Sequence, residues 1–161
     1  NTRDKGVNEL SSALRRRFNT VMLPLPKTLE EEVKIVATRV EKIGKSLELP
    51  TTTTPIEEIQ RLVTIFRELR NGATEDGQNK LKSPSSTLST AEAISVVNSG
   101  VALATHFGDG VITPSDLAAG LTGAIVKQPD QDQKVWEEYL ETVMRLRKDW
   151  KGWYEACKKL T

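Results

Sequence analysis

Three consecutive arginines, Arg15, Arg16 and Arg17, stand directly ahead of Phe18 and an apolar run that reaches Pro24. A guanidinium is planar, permanently charged and rich in N–H donors, so it suits phosphate oxygens better than a lysine does. The triplet follows good helix formers at residues 11–14, and a basic cluster at a helix C-terminus also complements the helix dipole. Two readings therefore stand: a solvated basic helix end, or a set of forks held out for an anion. The rest of a phosphate site is missing from the sequence. No Gly-x-x-x-x-Gly-Lys-Ser/Thr loop occurs, and no apolar strand ends in an acidic metal-binding pair. Without a backbone cradle and its lysine, this chain alone is expected neither to bind ATP tightly nor to hydrolyse it.

Other chemistries are bounded by composition. Cys157 is the only cysteine and His106 the only histidine, which excludes an intrachain disulfide and a zinc-finger type of site. With 23 basic and 22 acidic side chains the formal net charge is +1, so no global field draws nucleic acid. No apolar run approaches the roughly 20 residues that cross a bilayer, and no signal peptide is visible. A reducing, cytoplasmic setting is the default. Gly108-Asp109-Gly110 is too poor in oxygen ligands for a calcium loop and is read as the turn that ends a helix. His106, beside it, is read as a satisfied structural residue.

The elements that must carry these residues are marked by N-cap pairs. Thr28 and Glu31, Thr54 and Glu57, Ser89 and Glu92, Thr113 and Asp116, and Asp130 and Gln133 each have the spacing of a capping box. Pro55 and Pro114 fall at expected first helical positions, where a missing N–H costs nothing. Behind the pairs run helical stripes: Leu29, Val33, Val36, Val40, Ile43 and Leu47; then Ile59, Leu62, Val63, Phe66 and Leu69, stopping near Asn71-Gly72; then Ala91, Ile94, Val97, Val101 and Ala104; then Leu117, Leu121 and Ile125. Gly100 inside the third stripe costs about 1 kcal/mol against alanine, which predicts a close helix contact there. One last helix is expected to carry Val135, Tyr139, Val143, Leu146, Trp150, Trp153, Cys157 and Leu160. Residues 50–53 read as a β-branched linker, and residues 71–87 as a polar loop long enough to be either mobile or functional.

The final segment gathers Trp136, Tyr139, Trp150, Trp153 and Tyr154 among interleaved Lys and Arg. Such a mixture fits a partner-docking surface. It fits equally a core sealed by Trp136, Tyr139 and Trp150 with its bases in solvent, the reading we favour for the first half. Trp153 and Tyr154, with little chain left to pack against, are expected to meet another subunit or domain.

The opening segment also resembles a known family. Asn1, then Arg3-Asp4-Lys5-Gly6, then Glu9-Leu10-Ser11-Ser12-Ala13-Leu14-Arg15-Arg16-Arg17-Phe18 and an apolar strand, is similar to the second half of an AAA+ ATPase core of the MoxR-like, dynein-related branch. That family carries a Leu-Ser-x-Ala-Leu-x-x-Arg-Phe segment presenting an arginine finger. Phe107-Gly-Asp-Gly-Val-Ile-Thr-Pro-Ser-Asp-Leu117 resembles the Val-Thr-Pro-x-Asp-Val step of the family's lid. The absence of an initiating methionine is read in the same direction, as a longer protein resumed partway.

The resemblance implies a mainly α fold: a helical lid of about five helices over residues 27–161, preceded at 1–26 by a helix-and-strand remnant of an α/β core. It implies that Asn1 is the sensor orienting the attacking water and that Arg17 is the finger, with Arg16 the runner-up and Arg15 structural. The family's second sensor arginine has no counterpart, since the matching step reads Ser89-Thr90-Ala91-Glu92. Lys80, Lys82 and Arg70 are the substitutes considered, and Ser89 with Glu92 is explained as a capping box. ATP and Mg²⁺ would be used by the full-length parent. That parent is implied to be a homo-oligomeric ring, expected as a hexamer, that remodels or matures a client protein and often works with a von Willebrand factor A-domain partner. The lid would move about a hinge near Pro24-Leu25-Pro26. The rival reading is a stand-alone helical protein-interaction module without nucleotide chemistry. A helix-turn-helix reading around residues 108–127 is disfavoured by the near-zero charge and by the lack of basic and amide side chains at the start of its recognition helix.

Overall fold

Residues 62–66, Leu-Val-Thr-Ile-Phe, leave no polar face on the helix that carries them, and a helix apolar all round has to be enclosed. The computed structural model, which describes residues 12–19, 24–46 and 55–161, encloses it. After a single turn α1 (Ser12–Arg15) come α2 (Leu29–Ser46), α3 (Ile56–Asn71), α4 (Thr90–Phe107), α5 (Pro114–Ile125) and α6 (Pro129–Thr142). Two short 3₁₀ turns, Met144–Leu146 and Lys148–Trp150, then lead into α7 (Lys151–Lys158). Helix α3 buries every residue from Leu62 to Leu69 and is the spine of the domain. α2 packs on α3 and α4, α4 lies along α5, and α7 folds back over α5. One core runs through these helices, from Val33, Val36 and Val40 to Trp153, Ala156 and Cys157. The fold is mainly α, as expected. Among the described residues the only β pairing is an isolated antiparallel bridge between Ala73 and Lys80. The expected strand before Pro24 falls largely on residues 20–23, which lie outside the described residues, as does Asn1.

Capping chemistry sets several boundaries where the sequence places them. Glu31 N–H donates to Thr28 Oγ1 at 3.2 Å, while Glu31 Oε2 accepts from Lys27 and Thr28 N–H. Ser89 and Glu92 form a reciprocal box at the start of α4. Thr113 gives both its N–H and its hydroxyl to Asp116 Oδ2, at 2.8 and 2.7 Å, with Pro114 in the first turn of α5. Gly72, at φ 71°, ends α3 in the left-handed conformation that suits glycine, its N–H bonded to Glu68 O. The 108–110 turn closes α4 as predicted, with Gly108 and Gly110 N–H both on Ala104 O. Gly100 permits the approach expected of it: a Cβ there would stand 2.4 Å from Leu117 Cδ2 across the α4–α5 contact.

Three boundary readings change. Pro55 is the N-cap of α3 rather than its first residue, and Thr54, its expected cap, lies outside the described residues. The Asp130–Gln133 box does not form. Helix α6 starts at Pro129, because the carboxylate that collects the backbone donors there is Asp132, which accepts from Lys127 and Gln128 N–H at 3.0 and 2.7 Å. The single last helix is broken after Thr142. Arg147 turns extended, at φ −84° and ψ 122°, to send its side chain back to Glu68, and this reverses the chain so that α7 can cover α5. Leu146 and Leu160, assigned to the buried stripe, are exposed in consequence. His106 faces solvent in the last turn of α4 instead of being enclosed.

Candidate functional site

The arginine-bearing segment is a one-turn helix whose only described tertiary feature is its own closure, Arg16 N–H to Ser12 O at 3.2 Å. Arg16 and Arg17 are exposed, and Phe18 beside them is 63% exposed. Among the described residues neither Arg16 nor Arg17 has an ion-pair partner. Asn1, the other expected catalytic residue, lies outside the described residues, so its distance from them is undefined.

The three cations weighed as nucleotide ligands from the helical domain diverge. Lys80 is exposed, and its backbone bridges Ala73 at the neck of the 73–80 turn. Lys82 is 71% exposed and pairs with Glu138 of α6 at 2.7 Å, a surface contact worth at most about 1 kcal/mol. Arg70 is 7% exposed. Its Nη2 meets Glu32 Oε2 at 2.7 Å, and its Nη1 meets Glu32 Oε1 and Leu88 O, each at 3.1 Å. The structure brings none of these three together with Arg16 or Arg17.

What it does bring together is a pair of buried carboxylates, one on α2 and one on the spine, which the sequence reading passed over. Glu32, at the start of α2, is completely buried and accepts from Arg70, from Arg67 and from Thr90 Oγ1. Burial pushes its carboxyl up, but the hydrogen bonds of Arg70 and Thr90 and the Arg70 charge outweigh that and hold it below the ordinary carboxylate range. Glu68, also fully buried, accepts from Tyr139 Oη and Arg147 Nη2 at 2.6 Å each and from Glu75 N–H at 2.9 Å. Burial and the Glu68 charge drive the Tyr139 hydroxyl well above its usual pKa, which keeps it a donor. Arg147 is held from its other side by the Trp150 ring, 4.6 Å from the guanidinium carbon to the ring centroid.

A third buried acid, Asp132, accepts from the N–H and hydroxyl of Ser85 at 2.7 and 2.8 Å besides its two α6 contacts. Burial is outweighed by these donors, led by Gln128 N–H, so Asp132 too titrates low. This bond pins residues 71–89 to the body. Further pins come from the Ala73–Lys80 bridge and from buried Pro84 and Leu88, so the long loop is stapled rather than free.

Helical spacing held a signal for these acids. Glu32, Val36 and Val40 lie in one i, i+4 row, and Arg67-Glu68 continues the fully apolar run of α3. Every one of these carboxylates is saturated by donors, an arrangement that fixes structure and leaves no free acid or base. Among the described residues no group of three His, Cys, Asp or Glu side chains can hold a metal ion, and no helix is long and apolar enough to cross a membrane. A groove of about 360 Å³ between α2 and α3 is lined by Leu29, Val33, Ala37 and Ile56 together with Lys34, Glu30 and Glu41, and its two carboxylates make it unsuited to phosphate. The terminal aromatics divide: Trp136 and Tyr139 stack in the core, as favoured. Trp153, expected to meet another subunit, is instead buried, with its Nε1–H on Glu58 of α3.

Two comparisons bear on identity. Residues 30–160 match the family model of the YehL-like AAA+ ATPase C-terminal domain. Across 163 aligned residues the chain is 31% identical to the uncharacterized protein YehL of Escherichia coli (strain K12), an alignment covering 99% of this chain and 44% of that relative. The chain thus spans less than half the length of the curated relative it matches. No solved structure matches it. The family match begins at the first turn of α2 and ends within two residues of Lys158, taking in all the buried acids and the folded-back α7. The chain belongs to the YehL-like AAA+ ATPase C-terminal domain family.

Proposed function

We propose that this chain supplies the helical lid and the arginine-bearing segment of a AAA+ ATPase, in which ATP binding and hydrolysis in a homo-oligomeric ring, expected as a hexamer, drive remodelling or maturation of a client protein. The observation that carries the reading is the pairing of an AAA+ ATPase C-terminal domain match over 30–160 with two exposed guanidinium groups just ahead of it that have no ion-pair partner among the described residues. Arg17, next to Phe18, is the finger, and Arg16 is the alternate. Charge that builds on the transferred phosphoryl oxygens is stabilised by such a fork, an effect worth about 10³–10⁵ in rate in related systems. These two residues fit a triphosphate, being exposed and free of described carboxylate partners. Arg70 does not, because Glu32 already saturates its two terminal nitrogens. Mg²⁺ and the phosphate loop belong to parts of the machine outside this sequence, and the metal would neutralise the β- and γ-phosphates there. A MoxR-like role with a von Willebrand factor A-domain partner rests on the resemblance of residues 1–18 and 107–117.

The test is Arg17→Ala in the assembled ATPase that carries this domain. Turnover should fall at least about a thousandfold with nucleotide affinity near normal. Unchanged turnover in both Arg17→Ala and Arg16→Ala removes the finger from this segment.

A further inference from the structure

We infer that Arg67 is a positioning residue that fixes the linker between the arginine-bearing segment and the helical domain. The inference rests on the ATPase reading above. Pro24-Leu25-Pro26 contains two residues without an N–H and with φ locked, so this stretch cannot join a helix or a ladder, and its carbonyls need donors from elsewhere. Arg67 reaches them from α3, forty residues along the chain. Nη1 donates to Pro26 O at 3.3 Å and Nη2 to Lys27 O at 3.4 Å. The same guanidinium is anchored behind by Nε on Glu75 Oε1 at 2.8 Å and by Nη1 on Glu32 Oε2 at 3.3 Å.

One buried fork thus joins two consecutive linker carbonyls, the first turn of α2 and the loop after α3. The neighbouring Glu68 extends the connection, since it holds Glu75 N–H as well as Tyr139 of α6 and Arg147 beyond it. A displacement of the linker is thereby felt by the spine, by α6 and by the turn at Arg147. In the other direction, the attitude of the helical domain sets where the chain leaves toward Phe18 and Arg17. No other side chain is placed to do this with one group: a lysine has a single nitrogen and cannot span two carbonyls and two carboxylates.

The experiment compares wild type with Arg67→Lys in two measurements. The first is the distance distribution between spin labels at Asn19→Cys and Lys34→Cys in this chain, both sites being exposed and the native Cys157 buried. Wild type should give one narrow distribution and Arg67→Lys a broad one. The second is steady-state ATP turnover of the assembled ATPase, where kcat should fall about ten- to a hundredfold with KM within about twofold, the signature of a misplaced group rather than a lost binding contact.

An unchanged distance distribution overturns the clamp, whatever turnover does. A broadened distribution with unchanged kcat overturns its role in positioning the finger. A wild type without any turnover sinks the ATPase reading instead and leaves the distance measurement to judge the clamp. If Arg67→Lys does not fold, Glu75→Ala removes only the Nε anchor, from an exposed partner, and should broaden the distribution in the same sense; no broadening there overturns the clamp.

Discussion

Replacing Gly100 with alanine tests the α4–α5 contact, and Gly123→Ala supplies the control. Both glycines sit inside helices, so each substitution gains about 1 kcal/mol of helix propensity. At Gly123 the new methyl meets nothing within 4 Å, and the gain stands alone. At Gly100 it would lie 2.4 Å from Leu117 Cδ2, 3.3 Å from Leu117 Cγ and 3.4 Å from Asp116 O. Leu117 is fully buried, so it cannot swing aside into solvent, and α5 must be displaced. Overpacking of this kind costs about 1–3 kcal/mol, which cancels or exceeds the propensity gain. Gly123→Ala should therefore raise Tm by roughly 2–4 °C, whereas Gly100→Ala should leave it unchanged or lower it by up to roughly 8 °C. Calorimetric melts of the 161-residue chain resolve the difference. The double variant Gly100→Ala/Leu117→Ala should lose less than the sum of its parts, by about 0.5–3 kcal/mol, because the methyl enters the space that Leu117 vacates. Equal stabilisation by the two alanines would refute the close approach of α4 and α5.

Glu68→Gln should destabilise by about 3–5 kcal/mol in urea melts, since it strands Arg147 without its buried carboxylate; a loss below about 1 kcal/mol would show that Arg147 has another anchor. Asp132→Asn swaps an oxygen that collects backbone donors for an NH₂, which should cost about 1–3 kcal/mol and speed amide exchange at Ser85, Lys127 and Gln128 ahead of the rest of the domain. Glu32 and Asp132 have depressed pKa values when folded, so the stability they contribute is present above the ordinary carboxylate range and disappears as pH falls through their lowered values. The urea midpoint should fall with acid below about pH 4, and an acid-insensitive midpoint contradicts both pairings. Burial lifts the Cys157 thiol from its ordinary 9.0 to about 12, so the folded state keeps a proton that the unfolded state releases. Stability should thus decline from about pH 9 upward, by about 1.4 kcal/mol for each unit, and Cys157→Ala should flatten that decline.

Periodicity and capping made α2 to α5 and most of their bounds readable, because Thr28, Ser89, Thr113 and Gly72 act through bonds to residues three or four positions away. What sequence reading missed was set by partners far along the chain. Glu32 meets Arg70, Glu68 meets Arg147, and Asp132 meets Ser85, separations of 38, 79 and 47 residues. The break after Thr142 belongs to the same class. An uninterrupted helix satisfies local propensity, yet the Arg147–Glu68 pair and the burial of Trp153 favour reversing the chain. At the candidate site, residue type and order singled out Arg16 and Arg17. Arg70, considered as a substitute nucleotide ligand, is tied to Glu32 instead, because a charge on a stripe edge reads as solvated unless its counter-ion is known.

The return of α7 has a bearing on synthesis at the ribosome. Trp153 closes the core against Glu58, 95 residues earlier, so the spine helix stays uncovered on one side until α7 has left the exit tunnel. Local helices form in about a microsecond, but docking of the carboxyl-terminal segment has to await translation, and slow elongation lengthens exposure of the Leu62–Leu69 surface to chaperones and proteases. A truncation ahead of α7 would leave most helices intact and yet yield a product destined for degradation.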